Sequence, residues 1–282
     1  MRTEFVTANG IRFHLAEDGA GPLILLLHGF PQTGQMWHHV MPQLAAAGYR
    51  VCAPDLRGMG ESARPRRVRD YRFAILGEDV AALVAALGAS RAHLIGHDLG
   101  GLAAWETAFT HPEVVDRLVI VNAPSQPAMV RTLLRSPRQL LRSWYIFLFA
   151  IPGLPERLLT DKHAKVLVRM FEPGRFSEDE VAVYRDAMSR PGAAWAGLAW
   201  YRAAVRNVVS DFRRLRRAHV AAPTLVIWGE QDVALGKELN DHLARYVRAP
   251  LQIEYLPDVG HWVVQDVPER FVALVTGFLA EA

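Results

Sequence analysis

"LIGHDLGG", residues 94–101, is the stretch that decides the fold. An apolar strand runs directly into a glycine-rich turn, and residues 96–100 have the spacing G-x-X-x-G. In many hydrolases the middle residue of this pattern is a serine nucleophile on a sharp strand-to-helix turn. Here the middle residue is Asp98. The pattern therefore raises the question whether Asp98 is a lost serine or a nucleophile for different chemistry.

The sequence on both sides of this turn alternates between apolar strands and helical patterns. Asn9-Gly10 lies between two alternating runs and predicts a hairpin over 4–17. Further strands are predicted at 22–30, 49–56, 91–98, 115–124, 222–232 and 251–257, and helices at 33–48, 73–88, 100–112 and 268–282. Such alternation favours an α/β architecture with a mostly parallel sheet covered by helices on both faces. We count eight strands.

The alternation stops between residues 125 and 218. Arg, Trp, Tyr and Leu recur there at helical spacing, without the pattern of a strand. We therefore predict a helical cap, or lid, over 125–218 that interrupts a core domain formed by 1–124 and 219–282.

Composition narrows the classes of protein. A chain of 282 residues that is 51% hydrophobic can bury a sizeable core, and the single cysteine excludes a disulfide framework. The net charge is only +3, and the arginine clusters at 64–70 and 212–219 lack a nucleic-acid recognition motif. The start of the chain has no apolar leader, and the run at 144–154 is shorter than the roughly 20 residues of a membrane span. We expect a cytoplasmic protein with no nucleic-acid partner and no membrane span; the oligomeric state stays open, with a homodimer as one option.

Three polar residues follow predicted strands at the sheet edge where active sites form. Asp98 ends one strand, Asp232 follows another in "WGEQD", and His261 follows the last in "DVGHW". Each alone also has a structural interpretation. Asp98 can be a helix N-cap, Asp232 a turn residue, and His261 a buried histidine with satisfied hydrogen bonds. Together they have the chain order of nucleophile, acid and histidine that α/β hydrolases use, which favours catalysis.

Five motifs are distributed over nearly the whole chain and together carry a family resemblance. They are "HGFP" (28–31), "DLRGMGES" (55–62), "GHDLGG" (96–101), "WGEQD" (228–232) and "GHW" (260–262). The chain resembles the epoxide hydrolase and haloalkane dehalogenase branch of the α/β-hydrolase fold. The resemblance implies Asp98 as an intact nucleophile and His261 as a general base oriented by Asp232. Backbone N–H groups of Phe30 and Leu99 are the expected oxyanion donors, and the bond between Phe30 and Pro31 is a candidate for the cis form.

The change from serine to aspartate has a chemical reason. A carboxylate that attacks an sp³ carbon forms an ester, whereas a serine would form an ether that water does not readily cleave. The carbonyl of the ester is open to attack by a water molecule that a histidine activates.

The predicted cap carries the residues that separate the two reactions of this branch. "RSWYIFLFAIPG" (142–153) and "GLAWYRAAVRN" (197–207) resemble the lid segments of epoxide hydrolases that hold paired ring-opening tyrosines, here Tyr145 and Tyr201. A phenol with an ordinary pKa near 10 can protonate the opening epoxide oxygen. The alternative is that both tyrosines only pack the lid. An apolar epoxide is the expected substrate, and the candidate substrate-binding residues are His28, Pro31, Trp144, Phe147, Trp200 and Trp262.

A haloalkane or haloacid dehalogenase with the same nucleophile is the alternative function. Epoxide hydrolases and haloalkane dehalogenases both often carry Trp after the nucleophile, where this chain has Leu99; the loss counts more against a dehalogenase, whose Trp donates to the halide. Fluoroacetate dehalogenases place Arg there, and "HGFP" lacks the Asn of haloalkane dehalogenases. Asn122 stands where some dehalogenases keep the triad acid, a role that an amide cannot perform. The third hypothesis is a binding protein without catalytic activity. The complete triad disfavours it.

No cofactor and no metal are expected. None of the predicted strands is followed by G-x-G-x-x-G, which speaks against a nicotinamide enzyme. His28 and the pair His38-His39 have no partners at the spacing of metal ligands.

Overall fold

The computed structural model describes residues 1–161, 165–171 and 176–281. Its centre is one eight-stranded sheet with the order β1-β2-β4-β3-β5-β6-β7-β8. The first two strands form an antiparallel hairpin, β2 pairs antiparallel with β4, and every later pairing is parallel. The predicted architecture, a mostly parallel eight-stranded sheet flanked by helices, is confirmed. The strands are Arg2–Ala8, Ile11–Asp18, Leu23–Leu27, Arg50–Pro54, Ala92–His97, Val115–Val121, Thr224–Gly229 and Leu251–Leu256.

The central strands are buried because helices cover both faces of the sheet. All residues of β3, β5 and β7 are buried, which explains why the sequence shows continuous apolar runs there instead of alternation. At the edge, Asn9 and Gly10 both have positive φ angles, of 45° and 72°, as the predicted hairpin turn requires.

Helices connect the strands and close the two faces of the sheet. They are α1 Met41–Ala46, α2 Phe73–Ala86, α3 Leu99–Thr110, α4 Gln126–Leu133, α5 Pro137–Arg142, α6 Trp144–Ala150, α7 Leu154–Thr160, α8 Lys165–Met170, α9 Glu178–Ser189, α10 Ala193–Leu215, α11 Val263–Asp266 and α12 Pro268–Ala280. Helices α1, α2, α3, α11 and α12 belong to the sheet layers.

The single helix predicted over 33–48 is wrong. The structure has a 3₁₀ helix at Gly34–Trp37 and then the separate helix α1, with Pro42 in its first turn. Proline lacks an N–H group and its ring collides with the carbonyl four residues earlier, so a continuous helix cannot pass through this position but a new one can begin there.

Seven helices, α4 to α10, lie between β6 and β7 in the chain, and we call them the helical insert (residues 126–215). Within the described part of this range there is no strand. The 23-residue helix α10 contacts α4, α6, α7 and α9 of the insert and also α2 of the core. The insert packs against the core, and its residues Tyr145 and Tyr201 lie beside Asp98 at the carboxyl end of β5.

Among the helices of the described ranges, none combines the length and the apolar character that crossing a bilayer requires.

Candidate active site

The turn between β5 and α3 holds Asp98 in an unusual backbone conformation. Its φ and ψ angles are 51° and −120°, a region that residues with side chains rarely adopt. The turn is this tight only because glycine stands on both sides: a side chain at Gly96 would lie 2.6 Å from the Gly100 carbonyl oxygen, and one at Gly100 would collide with the Leu27 carbonyl. The turn therefore presents the Asp98 carboxylate at the edge of the sheet.

Backbone N–H groups hold one side of this carboxylate. The Phe30 N–H donates to Asp98 Oδ1 over 2.9 Å, and the Leu99 N–H also hydrogen-bonds the carboxylate. The peptide bond between Phe30 and Pro31 is cis, as the sequence suggested. Burial raises the pKa of Asp98 and outweighs the opposing effect of His261 and of the two N–H groups. Two backbone donors therefore hold a carboxylate that burial partly desolvates.

His261 lies between the two carboxylates. Its Nδ1 is 2.6 Å from Asp232 Oδ2, and its Nε2 is 3.7 Å from Asp98 Oδ2. An ionised carboxylate only accepts hydrogen bonds, so Nδ1 carries a proton, and in the neutral ring Nε2 carries the lone pair on the side of Asp98. This tautomer is the one that a general base needs.

Asp232 is almost fully buried and accepts four hydrogen bonds. Besides His261, its donors are the Asn122 side-chain amide at 2.7 Å and the N–H groups of Ala234 and Leu235, each at 2.8 Å. Burial alone would raise the pKa of Asp232, but the proximity of His261 and these donors outweigh it, and the pKa is lowered. The acid therefore stays ionised beside the imidazole.

Asn122 also ties two strands together at this point. Its Oδ1 accepts the Gly229 N–H over 2.9 Å while its Nδ2 donates to Asp232. The sequence indicates only that the Asn122 amide cannot replace the triad acid. It does not predict that Asn122 supports Asp232. Its place directly after β6, beside the strand that leads to Asp232, is the signal that could have revealed the contact.

Replacing Asn122 with Ala is expected to lower both stability and catalysis. The buried Gly229 N–H and the Asp232 carboxylate each lose a partner, which costs about 1–3 kcal/mol in the free energy of unfolding. The lowered pKa of Asp232 stabilises the folded state only where this carboxyl is ionised. The difference in stability between the variant and the wild type should therefore be largest above about pH 4 and become smaller at lower pH. Urea unfolding at several pH values measures the effect.

The matched control for this variant is Asn240→Ala. Asn240 is buried, and its Nδ2 has no hydrogen-bond partner among the described residues. This control should leave kcat/KM unchanged, whereas Asn122→Ala should lower it about tenfold. Equal kinetic effects of the two substitutions would contradict the role of Asn122.

A cavity of about 240 Å³ opens beside Asp98, between α3 and the helical insert. Two helices of the insert supply most of its wall. The cavity-lining residues on α4 recur at positions i, i+3, i+4 and i+7, and those on α10 follow a similar helical period. On α4 they are Gln126, Met129, Val130 and Leu133. On α10 they are Trp200, Tyr201, Ala204, Val205, Val208, Asp211 and Phe212. One face of each helix therefore encloses an apolar space that ends at the carboxylate.

Tyr145 and Tyr201 both line this cavity together with Asp98. Their ring centroids are 6.3 Å apart at an interplanar angle of 77°, and both rings pack against Phe149. Burial and the nearby Asp98 carboxylate raise the pKa of both phenols. The hydroxyl groups are therefore neutral donors at neutral pH.

Comparison with known proteins identifies the family of this chain. A family model described as alpha/beta hydrolase fold matches residues 22–266. Epoxide hydrolase 3 of Xenopus tropicalis is 37% identical over 97% of this chain and 76% of its own length. The chain belongs to the epoxide hydrolase branch of the α/β-hydrolase fold.

Further epoxide hydrolases support this assignment. Epoxide hydrolase 4 of Mus musculus is 34% identical over 97% of this chain and 77% of its own length. The crystal structure of epoxide hydrolase A from Mycobacterium thermoresistibile superimposes with a TM-score of 0.88 and 29% identity, over 99% of this chain and 98% of that one.

In this member of the epoxide hydrolase family, only some of the residues proposed to bind substrate line the cavity. Phe147 and Trp200 line the cavity, as Leu99 does. His28, Pro31, Trp144 and Trp262 are not among the residues that line it. Trp144 is 63% exposed, because it lies on the outer side of the short helix α6. Trp262 is buried and packs against the rings of His97 and His261.

Two buried histidines of this epoxide hydrolase bond to the backbone. His28 Nδ1 donates to the Gly29 carbonyl over 2.8 Å, and its Nε2 accepts the Leu56 N–H over 2.9 Å. His97 Nε2 donates to the His261 carbonyl over 2.9 Å, and burial lowers the pKa of His97 to about 3. Both rings are neutral, and they fix the loops that carry Phe30 and His261.

Proposed function

We propose that the protein hydrolyses apolar epoxides to vicinal diols through a covalent ester on Asp98. The observation that carries this proposal is that Tyr145 and Tyr201 line the same cavity as the Asp98 carboxylate. A nucleophile on one side and two neutral phenol donors on the other match what ring opening of an epoxide needs. The names of the related epoxide hydrolases support the same substrate class.

In the first step, a carboxylate oxygen of Asp98 attacks one carbon of the epoxide ring. Oδ2 is suited to this role because Oδ1 accepts the Phe30 N–H. The carbon–oxygen bond of the ring breaks, and the oxygen that leaves takes a proton from Tyr145 or Tyr201. The product is a hydroxyalkyl ester, and the phenols stabilise charge that develops only in the transition state.

In the second step, His261 Nε2 takes a proton from water, and the resulting hydroxide attacks the ester carbonyl carbon. The distance of 3.7 Å between Nε2 and Asp98 Oδ2 leaves the imidazole beside this carbon. The N–H groups of Phe30 and Leu99 stabilise the oxyanion of the tetrahedral intermediate. The bond between the carbonyl carbon and the alkyl oxygen then breaks, and the alkyl oxygen takes the proton of the added hydroxyl group and leaves as the diol. One oxygen from water stays on the Asp98 carboxylate, and the proton held by His261 returns to the phenolate of the tyrosine that gave its proton in the first step. These steps use side chains, two backbone N–H groups and water.

The wall of the cavity supports a compact apolar substrate. Leu99, Phe147 and Trp200 contribute hydrophobic surface, and the volume of about 240 Å³ fits a small aryl or alkyl epoxide. The cytoplasmic location and the homodimer stay predictions from the sequence.

A substrate panel combined with isotope labelling tests the function. We expect diol formation from a styrene-type or short alkyl epoxide, and no halide release from a 1-haloalkane or fluoroacetate. In a single turnover in ¹⁸O-water, the label should enter the Asp98 carboxylate while the diol stays unlabelled. Label that enters the diol directly would contradict the ester, and halide release without diol formation would favour the dehalogenase alternative.

A further inference from the structure

Three side chains with metal-binding atoms meet outside the active site. They are His38, His39 and Glu180, and one ligand atom of each lies within 4.8 Å of the others. The two histidines precede α1 in the core, and Glu180 is the third residue of α9 in the helical insert. His39 Nε2 lies 3.6 Å from Glu180 Oε1. The cluster therefore spans the boundary between the core and the insert.

The tautomer of His38 is fixed in the form that binds metals. Its Nδ1 lies 2.7 Å from the Gln35 carbonyl oxygen, so Nδ1 donates and Nε2 carries the lone pair. Histidines that ligate metals usually donate their other N–H to a carbonyl or carboxylate in this way. The His38 and His39 rings lie close together, with centroids 3.6 Å apart.

The carboxylate of Glu180 is also held in place. Its Oε2 accepts the backbone N–H and the hydroxyl of Ser177, each over 2.9 Å. These bonds orient Oε1 toward His39. The side chain of Glu180 is 24% exposed and that of His39 is 56% exposed, so an ion can reach the cluster from solvent.

We propose that His38, His39 and Glu180 bind a divalent transition-metal ion such as Zn²⁺, and that this ion links the helical insert to the core. Two imidazoles and one carboxylate form a ligand set that Zn²⁺ uses, with water in the fourth position. Ligand separations up to 4.8 Å exceed those around a tetrahedral ion by about 1.5 Å, so the side chains close around it on binding. Sequence spacing could not reveal the site, because Glu180 lies far along the chain from the histidine pair.

The first test is calorimetric titration of the chelator-treated full chain with Zn²⁺. We expect one ion per chain, and at least about tenfold weaker binding in His39→Ala. The matched control is His111→Ala: His111 Nδ1 also lies 3.6 Å from a carboxylate, that of Glu113, without a third ligand among the described residues. Absence of saturable binding by the wild type, or equal loss in both variants, would overturn the proposal.

The second test separates a bridging ion from one held by the histidine pair alone. Zn²⁺ should slow amide hydrogen exchange in α9 and raise the Tm by about 5 °C at a concentration 100 times the Kd. Glu180→Gln should lose both effects and bind Zn²⁺ at least about tenfold more weakly. If Glu180→Gln binds Zn²⁺ like the wild type, or if exchange in α9 is unchanged by Zn²⁺, the ion does not link the insert to the core. These readouts do not depend on the proposed epoxide hydrolysis.

Discussion

His261→Gln is expected to stop the reaction at the ester, so that the protein gains the mass of one substrate molecule and turnover falls on the order of 10⁴-fold. The substitution removes the base that activates water but leaves Asp98 and its two backbone N–H donors in place. Alkylation therefore proceeds while hydrolysis does not. Intact-mass analysis after mixing with an epoxide measures the adduct, and peptide mapping should locate it on Asp98.

The double variant His261→Gln, Asp98→Ala is the control for this result. It lacks the nucleophile and should show no added mass under the same conditions. Asp232→Asn should also accumulate ester, but less, because it weakens the orientation of the imidazole and does not remove it. Unmodified protein with normal turnover in His261→Gln would show that another group activates the water.

The double variant Tyr145→Phe, Tyr201→Phe is expected to lose on the order of 10³- to 10⁴-fold in kcat/KM for an epoxide. Removing one preorganised donor costs on the order of 10²-fold, and each single variant should keep measurable activity because the other phenol still points into the cavity. Alkylation is the affected step, so no ester should accumulate in single-turnover experiments. This pattern is the opposite of that expected for His261→Gln.

Tyr184→Phe is the matched control for the tyrosine pair. Tyr184 is a buried tyrosine of the helical insert that is not among the residues lining the cavity. This variant should retain wild-type kcat/KM. If the double variant also opens epoxides at the wild-type rate, Tyr145 and Tyr201 only pack the insert, and the proposed ring-opening role is wrong.

Much of the fold could be predicted because its signals are local. Apolar runs identified the strands, and glycines on both sides of Asp98 identified the turn that the structure has. The helix predicted over 33–48 failed because apolar periodicity continues through Pro42 although the backbone cannot. In that case the missing hydrogen-bond donor outweighed the pattern.

Contacts between distant segments were harder to predict. The bond between Asn122 and Asp232 joins residues 110 positions apart, and only the position of Asn122 directly after a strand points to it. Trp144 and Tyr145 are neighbours in the chain, yet only Tyr145 faces the cavity, because the side that a short helix presents depends on what packs against it. Residue types at the strand ends were therefore informative, whereas side-chain directions in the insert required the structure.

The faces of α4 and α10 that line the cavity affect how substrate specificity can diverge among members of the family. Met129, Val130 and Val208 shape the space for the substrate, whereas Asp98, Asp232 and His261 stand on loops after the strands. Mutations at positions of the two helix faces other than Tyr201 can therefore accumulate and change which molecules enter, while the inherited reaction is preserved. A mutant library confined to these faces, with Tyr201 left unchanged, would explore new substrates without repeatedly destroying the chemistry that selection has already found.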